Sequence, residues 1–366
     1  MLGYIFRRLL FILPTLIGIM VINFAFVQFL PGGPIEQIIN QMNEQKTPLD
    51  LLGGDGSDPG EQKKIKLSSD QNNKYRGAEG LPQEFIEELE KQFGFDKPPL
   101  ERFVKMMTNY LSFDFGESYF RSISVFDLVL EKMPVSISLG LWSTLLAYII
   151  SIPLGIKKAR NEGSRLDTYS SAIIIFAYSI PGFLFAILLL VLFAGGSYWQ
   201  IFPMRGLTSE NFSELTLIQK CLDYLWHIFL PVIASTIGSF ATLTLLTKNS
   251  FLDEIKKQYV ITAKSKGLSD KKVLYNHVFR NAMLIIIAGF PGLFISVFFG
   301  GSLIIETVFS LDGLGRLGFE AALTRDYPVM FGTLYFFALL GLIISLISDL
   351  TYIWIDPRID FERRNT

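Results

Sequence analysis

Six stretches of this chain stay apolar for about twenty residues or more, the length a helix needs to cross the hydrocarbon of a bilayer. They fall at residues 9–30, 134–156, 171–196, 227–247, 282–309 and 331–355, and they predict an all-α integral membrane protein with six transmembrane helices. Composition agrees. Half the residues are apolar, 33 are Phe, mean hydropathy is +0.38 and 18% are charged, where a soluble chain carries nearer a quarter. Arg7 and Arg8 ahead of the first run resemble the start of a signal peptide. The run is too long for one, and it ends in Leu30-Pro31-Gly32-Gly33-Pro34 with no small-x-small cleavage site. An uncleaved first span is expected.

Lys and Arg in short connections orient such a bundle. One side holds Arg7, Arg8, Lys157, Lys158, Arg160, Arg165, the basic residues between Lys248 and Arg280, and Arg358, Arg363 and Arg364. These are seventeen, against Arg205, Lys220, Arg316 and Arg325 opposite. Both termini are therefore expected in the cytoplasm, with the chain multi-pass. The net charge of −1 gives no reason to expect nucleic acid. The single Cys221 excludes an internal disulfide and a cysteine-based metal cluster, and the two histidines, His227 and His277, are too far apart in sequence to suggest a local metal site. No cofactor is expected.

The domain plan that follows is a tail and first helix at 1–30, an extracytoplasmic subdomain at 31–133, a five-helix core at 134–355, and a cytoplasmic tail at 356–366. Within 31–133 the Gly-, Asp- and Lys-rich first half reads as flexible or only locally ordered. The second half has helical spacing at Phe85, Leu89 and Phe93, a stop at Gly94, and a second amphipathic stretch over 100–111. Asp114-Phe115-Gly116 is spelled like the kinase metal triplet, but no kinase context surrounds it. The outer loop at 197–226 is rich in Tyr and Trp, as an interfacial aromatic belt or a contact with an external partner would be.

The connection from Lys248 to Asn281 is longer than two spans need, and it is patterned. Phe251, Ile255, Tyr259 and Ala263 recur every fourth residue as one apolar stripe, Gly267 suits the left-handed position that closes a helix, and Ser269 with Asp270 suits the start of the next. The pattern fits a docking element for a partner, with Asp253, Glu254 and Thr262 beside the stripe. It also fits an amphipathic pair lying on the inner membrane surface. No G-x-x-x-x-G-K-[ST] loop occurs in the chain, so any nucleotide-driven engine of that kind must reside elsewhere.

Helix-breaking residues inside spans need neighbouring protein or a water cavity to satisfy the freed backbone. Pro181 and Pro291, together with Ser179, Ser235, Ser239, Thr242 and Ser296, are accordingly candidates for lining a polar translocation path. Glu306 and Asp349 lie within or at the edge of spans, where a charge is expensive.

The loop sequence Tyr259-Val-Ile-Thr262-Ala263-Lys-Ser-Lys-Gly267-Leu, continued by His277-Val-Phe-Arg280-Asn281-Ala282, resembles the coupling signature of binding-protein-dependent ABC importer permeases of the peptide and nickel branch. Further marks of that branch occur in order, among them Tyr4-Ile-Phe-Arg7-Arg8, Gly94-Phe-Asp-Lys-Pro98, Ile152-Pro153-Leu-Gly155, Leu311-Asp312-Gly313-Leu-Gly315 and Asp356-Pro357-Arg358. The acidic residue of the general coupling pattern is replaced by Ile261, and the proline often found after the Arg-Asn-Ala triplet by Ile285. The second change predicts a straighter start to the next helix. The resemblance implies a type I importer fold and transport of peptides, oligopeptides or microcin C-like compounds. It also implies a second permease subunit, two ATPase subunits and an extracytoplasmic solute-binding protein as partners. Phe251, Asp253, Glu254, Ile255, Tyr259, Thr262, Ala263 and Gly267 would carry the coupling to the ATPase. The chain itself would not be an enzyme.

Overall fold

A computed structural model describes residues 2–29, 32–45, 83–196, 198–296 and 302–355. The stretch at 46–82 and the tail at 356–366 lie outside the described residues. Among those described, the chain is helical, with one isolated bridge between Glu117 and Ser124. It divides into two compact units.

The first unit comprises Met1–Pro14, Val129–Phe319 and Thr333–Thr366. Among the described residues five helices are long and apolar enough to cross a membrane, and a sixth span arises if one sharply bent pair is counted together. Helix α1 runs over Leu2–Phe29 with Pro14 inside it. Helices α5 (Val125–Arg160) and α8 (Leu217–Ile255) are 36 and 39 residues long, well beyond their apolar runs. Their ends explain why. Helix α5 opens with Asp127 in its first turn and closes with Lys157, Lys158 and Arg160 in its last, each charge matched to the helix dipole. Helix α8 opens on Thr216, whose backbone N–H and hydroxyl both donate to Gln219 Oε1 at 3.0 and 2.9 Å.

The apolar run at 171–196 is not one rod. Helix α6 (Arg165–Ser179) stops before Pro181, and α7 (Gly182–Phe193) leaves at 93°. Proline lacks an N–H and drives the residue before it to extended backbone; Ile180 sits at φ −83°, ψ 120°. The expected span at 282–309 also moves. The membrane-length helix is Asp270–Ile295, built from α10 (Asp270–Val273), a π-helical turn at Leu274–Val278, α11 (Phe279–Ala288) and the start of α12 (Phe290–Ser296). It runs on through Ile285, and its irregular turn lies before that residue. Helix α13 (Ser302–Val308) is separate, and α14 (Leu314–Thr324) and α15 (Tyr327–Ile355) follow.

Two apolar clusters hold this unit. Leu139 of α5, Ala186 and Leu189 of α7, Ile228 and Leu230 of α8, Ile305 of α13 and Phe309 just after it form one. Ala147 and Ala159 of α5, Leu243 and Phe251 of α8, and Val273, Val278 and Ile286 anchor the other. Helices α5 and α8 cross closely at Gly155, where an added Cβ would sit 2.6 Å from Thr247 Cβ and 2.9 Å from the Thr244 carbonyl oxygen.

The second unit comprises Thr15–Leu128 and Glu320–Gly332. Helix α3 (Gln83–Phe93) ends at Gly94 with φ +71°, as the spacing predicts, and α4 (Pro99–Leu111) begins with proline at its first position. The sequence predicts no helix just after the first span. Helix α2 (Pro34–Gln45) stands there and buries Ile35 and Ile39 against Leu89 and Phe93. Asp326 is buried and accepts from Ser118 Oγ at 2.5 Å and from the Tyr119 N–H at 3.2 Å. The Asp114-Phe-Gly triplet is a turn in which the Gly116 N–H donates to Asp114 Oδ1 at 3.1 Å.

Candidate functional site

The patterned loop is two short helices at the end of α8. The backbone leaves α8 at Lys256, Lys257 turns extended, and α9 (Gln258–Ser265) follows. The four-residue recurrence of Phe251, Ile255, Tyr259 and Ala263 thus belongs to two helices meeting at a break. Gly267 adopts φ +80°, the left-handed conformation, and nothing lies within 4 Å of where its Cβ would be. Lys264 pairs with Asp270 at 2.8 Å across the turn. Ser269 occupies the cap position of the next helix with extended backbone, but its hydroxyl makes no capping bond.

The stripe faces inward. Phe251 is 0% and Ala263 8% exposed, and both belong to the buried cluster against which Ile255 and Tyr259 also pack. Glu254 is buried too, accepting from the Tyr259 hydroxyl at 2.8 Å and pairing with Lys257 at 2.5 Å. Burial pushes the Tyr259 phenol up to about 12; the Asn281 amide opposes that rise and Glu254 adds to it. The hydroxyl therefore remains a proton donor at neutral pH. Of the sequence candidates, Asp253, Thr262 and Gly267 are exposed, and beside them lie Ile261 (52% exposed), Lys264, Ser265 and Leu268. Ile261 and Leu268 lie off the four-residue stripe, so spacing alone does not pick them out; the available signal for Ile261 is its place at the acidic position of the coupling pattern.

A buried ionic cluster joins α8 to the turn between α5 and α6. The Lys158 ammonium is wholly buried and donates to the Asp167 carbonyl oxygen at 2.9 Å, Ser170 Oγ at 2.7 Å and Ser171 Oγ at 2.8 Å. It lies 3.1 Å from Asp167 Oδ1, and Lys248 donates to both oxygens of that carboxylate at 2.8 Å. Ser164 caps α6 by accepting from the Asp167 N–H. In the sequence these lysines were only markers of topology.

The candidate path residues stand in differing surroundings. The Ser179 and Ser235 hydroxyls donate back to the carbonyls of Ile175 and Pro231 on their own helices, at 2.8 and 2.9 Å. Pro181 and Thr242 are exposed, Ser239 is half-buried and Pro291 is buried. Ser296 ends α12, and its side chain lies outside the described residues. An apolar cleft of about 700 Å³ opens between α5, α7 and α8, with Trp142, Phe185, Phe229 and Phe240 among its lining. Glu306, wholly buried, accepts from Ser136 Oγ at 2.6 Å and from the Arg316 N–H at 2.8 Å, which ties α13 to α5 and to the first turn of α14. Asp349 is paired with Arg8 at 2.6 Å.

Comparison with known proteins completes the picture. Residues 151–361 match the family model described as "Binding-protein-dependent transport system inner membrane component". The chain is 60% identical over 364 residues to the peptidoglycan transport system permease protein YejB of Agrobacterium fabrum, covering 99% of each. It is 57% identical over 364 residues to the inner membrane ABC transporter permease protein YejB of Escherichia coli O157:H7, covering 99% of this chain and 100% of the relative. It is 31% identical to the oligopeptide transport system permease protein AppB of Bacillus subtilis, with 99% of this chain and 100% of the relative covered. Membrane-length helices, a buttressed helix pair at the end of α8 and full-length similarity converge: this chain belongs to the family of inner membrane components of binding-protein-dependent transport systems, and is a permease subunit rather than an enzyme.

Proposed function

We propose that the chain is half of the membrane path of an ATP-driven importer for peptides, an oligopeptide or a microcin C-like compound, and that α9 with the following turn couples it to an ATPase. In this reading both termini and the 248–281 connection lie in the cytoplasm. A second permease subunit completes the path, two ATPase subunits dock below, and an extracytoplasmic solute-binding protein delivers the substrate. The surrounding lipid completes the list of partners. The full-length likeness to an oligopeptide permease supports the substrate class.

One observation carries the coupling role: α9 is packed against the chain's own core by Val260 and Ala263 while Ile261, Thr262, Lys264, Ser265 and Leu268 are exposed. A helix held firmly on one side and bare on the other can transmit a push. Nucleotide-driven closure of the ATPase would act through it by favouring one of two arrangements of the spans. Phe251, Glu254, Ile255, Tyr259 and Ala263 brace the element from within, and Asp253, Thr262 and Gly267 belong to the contact side.

The test uses Ile261→Asp and Gly267→Asp in the whole transporter. Ile261 is half exposed and nothing lies within 4 Å of the Gly267 Cβ position, so neither replacement enters the buried core. Loss of an interface contact worth ~1–2 kcal/mol should cut ATPase co-purification and peptide uptake roughly tenfold. Gly267→Asn, which tolerates the left-handed backbone, is the folding control. Unchanged co-purification and uptake in both aspartate variants would overturn the coupling assignment.

A further inference from the structure

Helix α4 has three faces where a helix of a soluble domain has two. Met107 and Tyr110 are buried, and Phe103 and Met106 lie half-buried beside them. Glu101, Lys105 and Thr108 form an exposed polar face. Leu100, Val104 and Leu111 form a third face, which is apolar and yet 76%, 55% and 53% exposed. At about 100° per residue these three side chains fall within roughly 40° of one another. Exposed Phe113 follows just beyond the helix end.

The strip continues an apolar surface already assigned to the membrane. A groove of about 450 Å³ lies between the last turns of α1 and the start of α4, lined by Val21, Phe24, Ala25, Phe29, Leu100 and Phe103 among others. Helix α1 is a membrane-length span over Ile5–Phe29, and Val21, Ile22, Phe26 and Phe29 on its final turns are exposed. Polar groups gather where α1 ends. Arg102 donates to Gln28 Oε1 at 2.8 Å and lies over the Phe95 ring at 4.5 Å, and Lys97 pairs with Glu101 at 2.7 Å. Apolar side chains on one flank with charges at the level of the span's end is the pattern of a helix lying in a membrane interface.

We propose that α4 is an interfacial helix whose Leu100–Val104–Leu111 strip is seated among lipid acyl chains beside the end of α1. The occupant of the groove is lipid, and Glu101, Lys105 and Thr108 face water. The external subdomain is thereby held at the bilayer surface through α4. This assignment rests on insertion of α1 and does not depend on the transported substrate or on the coupling role of α9.

Site-directed spin labelling tests it in the assembled transporter reconstituted in phospholipid vesicles. Cys221→Ser removes the native thiol, and single cysteines replace Val104, Leu111, Lys105 and Thr108, all exposed positions. Labels at 104 and 111 should be relaxed several-fold more by oxygen than by a water-soluble nickel chelate, and labels at 105 and 108 should show the reverse. Chelate access at all four positions would place the strip in water and overturn the proposal. Protection of 104 and 111 from both relaxants would mean that a protein subunit covers the strip, and would overturn it equally.

Discussion

Single side chains in this protein are held by networks that a sequence shows only in part. Among the described residues Asp167 is the one carboxylate paired with the buried Lys158, and its replacement strands a charge away from water. Asp167→Asn should lower stability by about 3–5 kcal/mol, as loss of one partner of a buried pair does. Lys248→Ala, at a partly exposed position, should cost roughly 1 kcal/mol. Thermal unfolding in detergent measures both, and adding Lys158→Met to Asp167→Asn should restore part of the loss. Equal effects of the two single replacements would contradict the cluster described. Glu306 and Gly313 form a second such contact, for a Cβ at Gly313 would collide with the Glu306 carboxylate. Gly313→Ala should therefore displace that carboxylate from Ser136 and the Arg316 N–H. The expected loss is about 1–3 kcal/mol, as for an overpacked core. Glu306 stood out in the sequence as an expensive charge. Its partners did not, because Ser136 lies 170 residues away along the chain.

At the scale of the element, most spans were legible in position and their ends were not, while the helix expected at 282–309 lies at Asp270–Ile295. Apolar runs mark where a helix can sit in lipid, yet α5 and α8 continue through charged sequence because end charges and the Thr216–Gln219 box extend them. Pro181 signalled a break; the 93° turn arises from the extended Ile180 that the proline requires. The stripe from Phe251 to Ala263 was visible, but periodicity alone could not say whether it faced a partner or the chain's own core. The crossing of α5 and α8 gives a sharp test of packing. Gly155→Ala would push a methyl against Thr247 and the Thr244 carbonyl. A loss of about 1–3 kcal/mol is expected, and Thr247→Ser should relieve only part of it because the carbonyl remains. Wild-type stability in Gly155→Ala would show that the helices separate freely.

For the whole molecule, the family assignment predicts dependence on partners. The purified chain alone in vesicles should accumulate no peptide under an ion gradient, and uptake should appear when the second permease, the ATPase subunits and the binding protein are added with ATP. Gradient-driven uptake by the chain alone would refute the subunit reading. The length of α8 adds a mechanical consequence. At 1.5 Å per residue the helix is about 58 Å long, nearly twice the thickness of the hydrocarbon layer. Its close crossing with α5, at Thr247, lies about 12 Å from the Ile255 end and about 45 Å from the Leu217 end. Were α8 to pivot there as a stiff rod, a displacement of one ångström at its α9 end would swing the Leu217 end by about four.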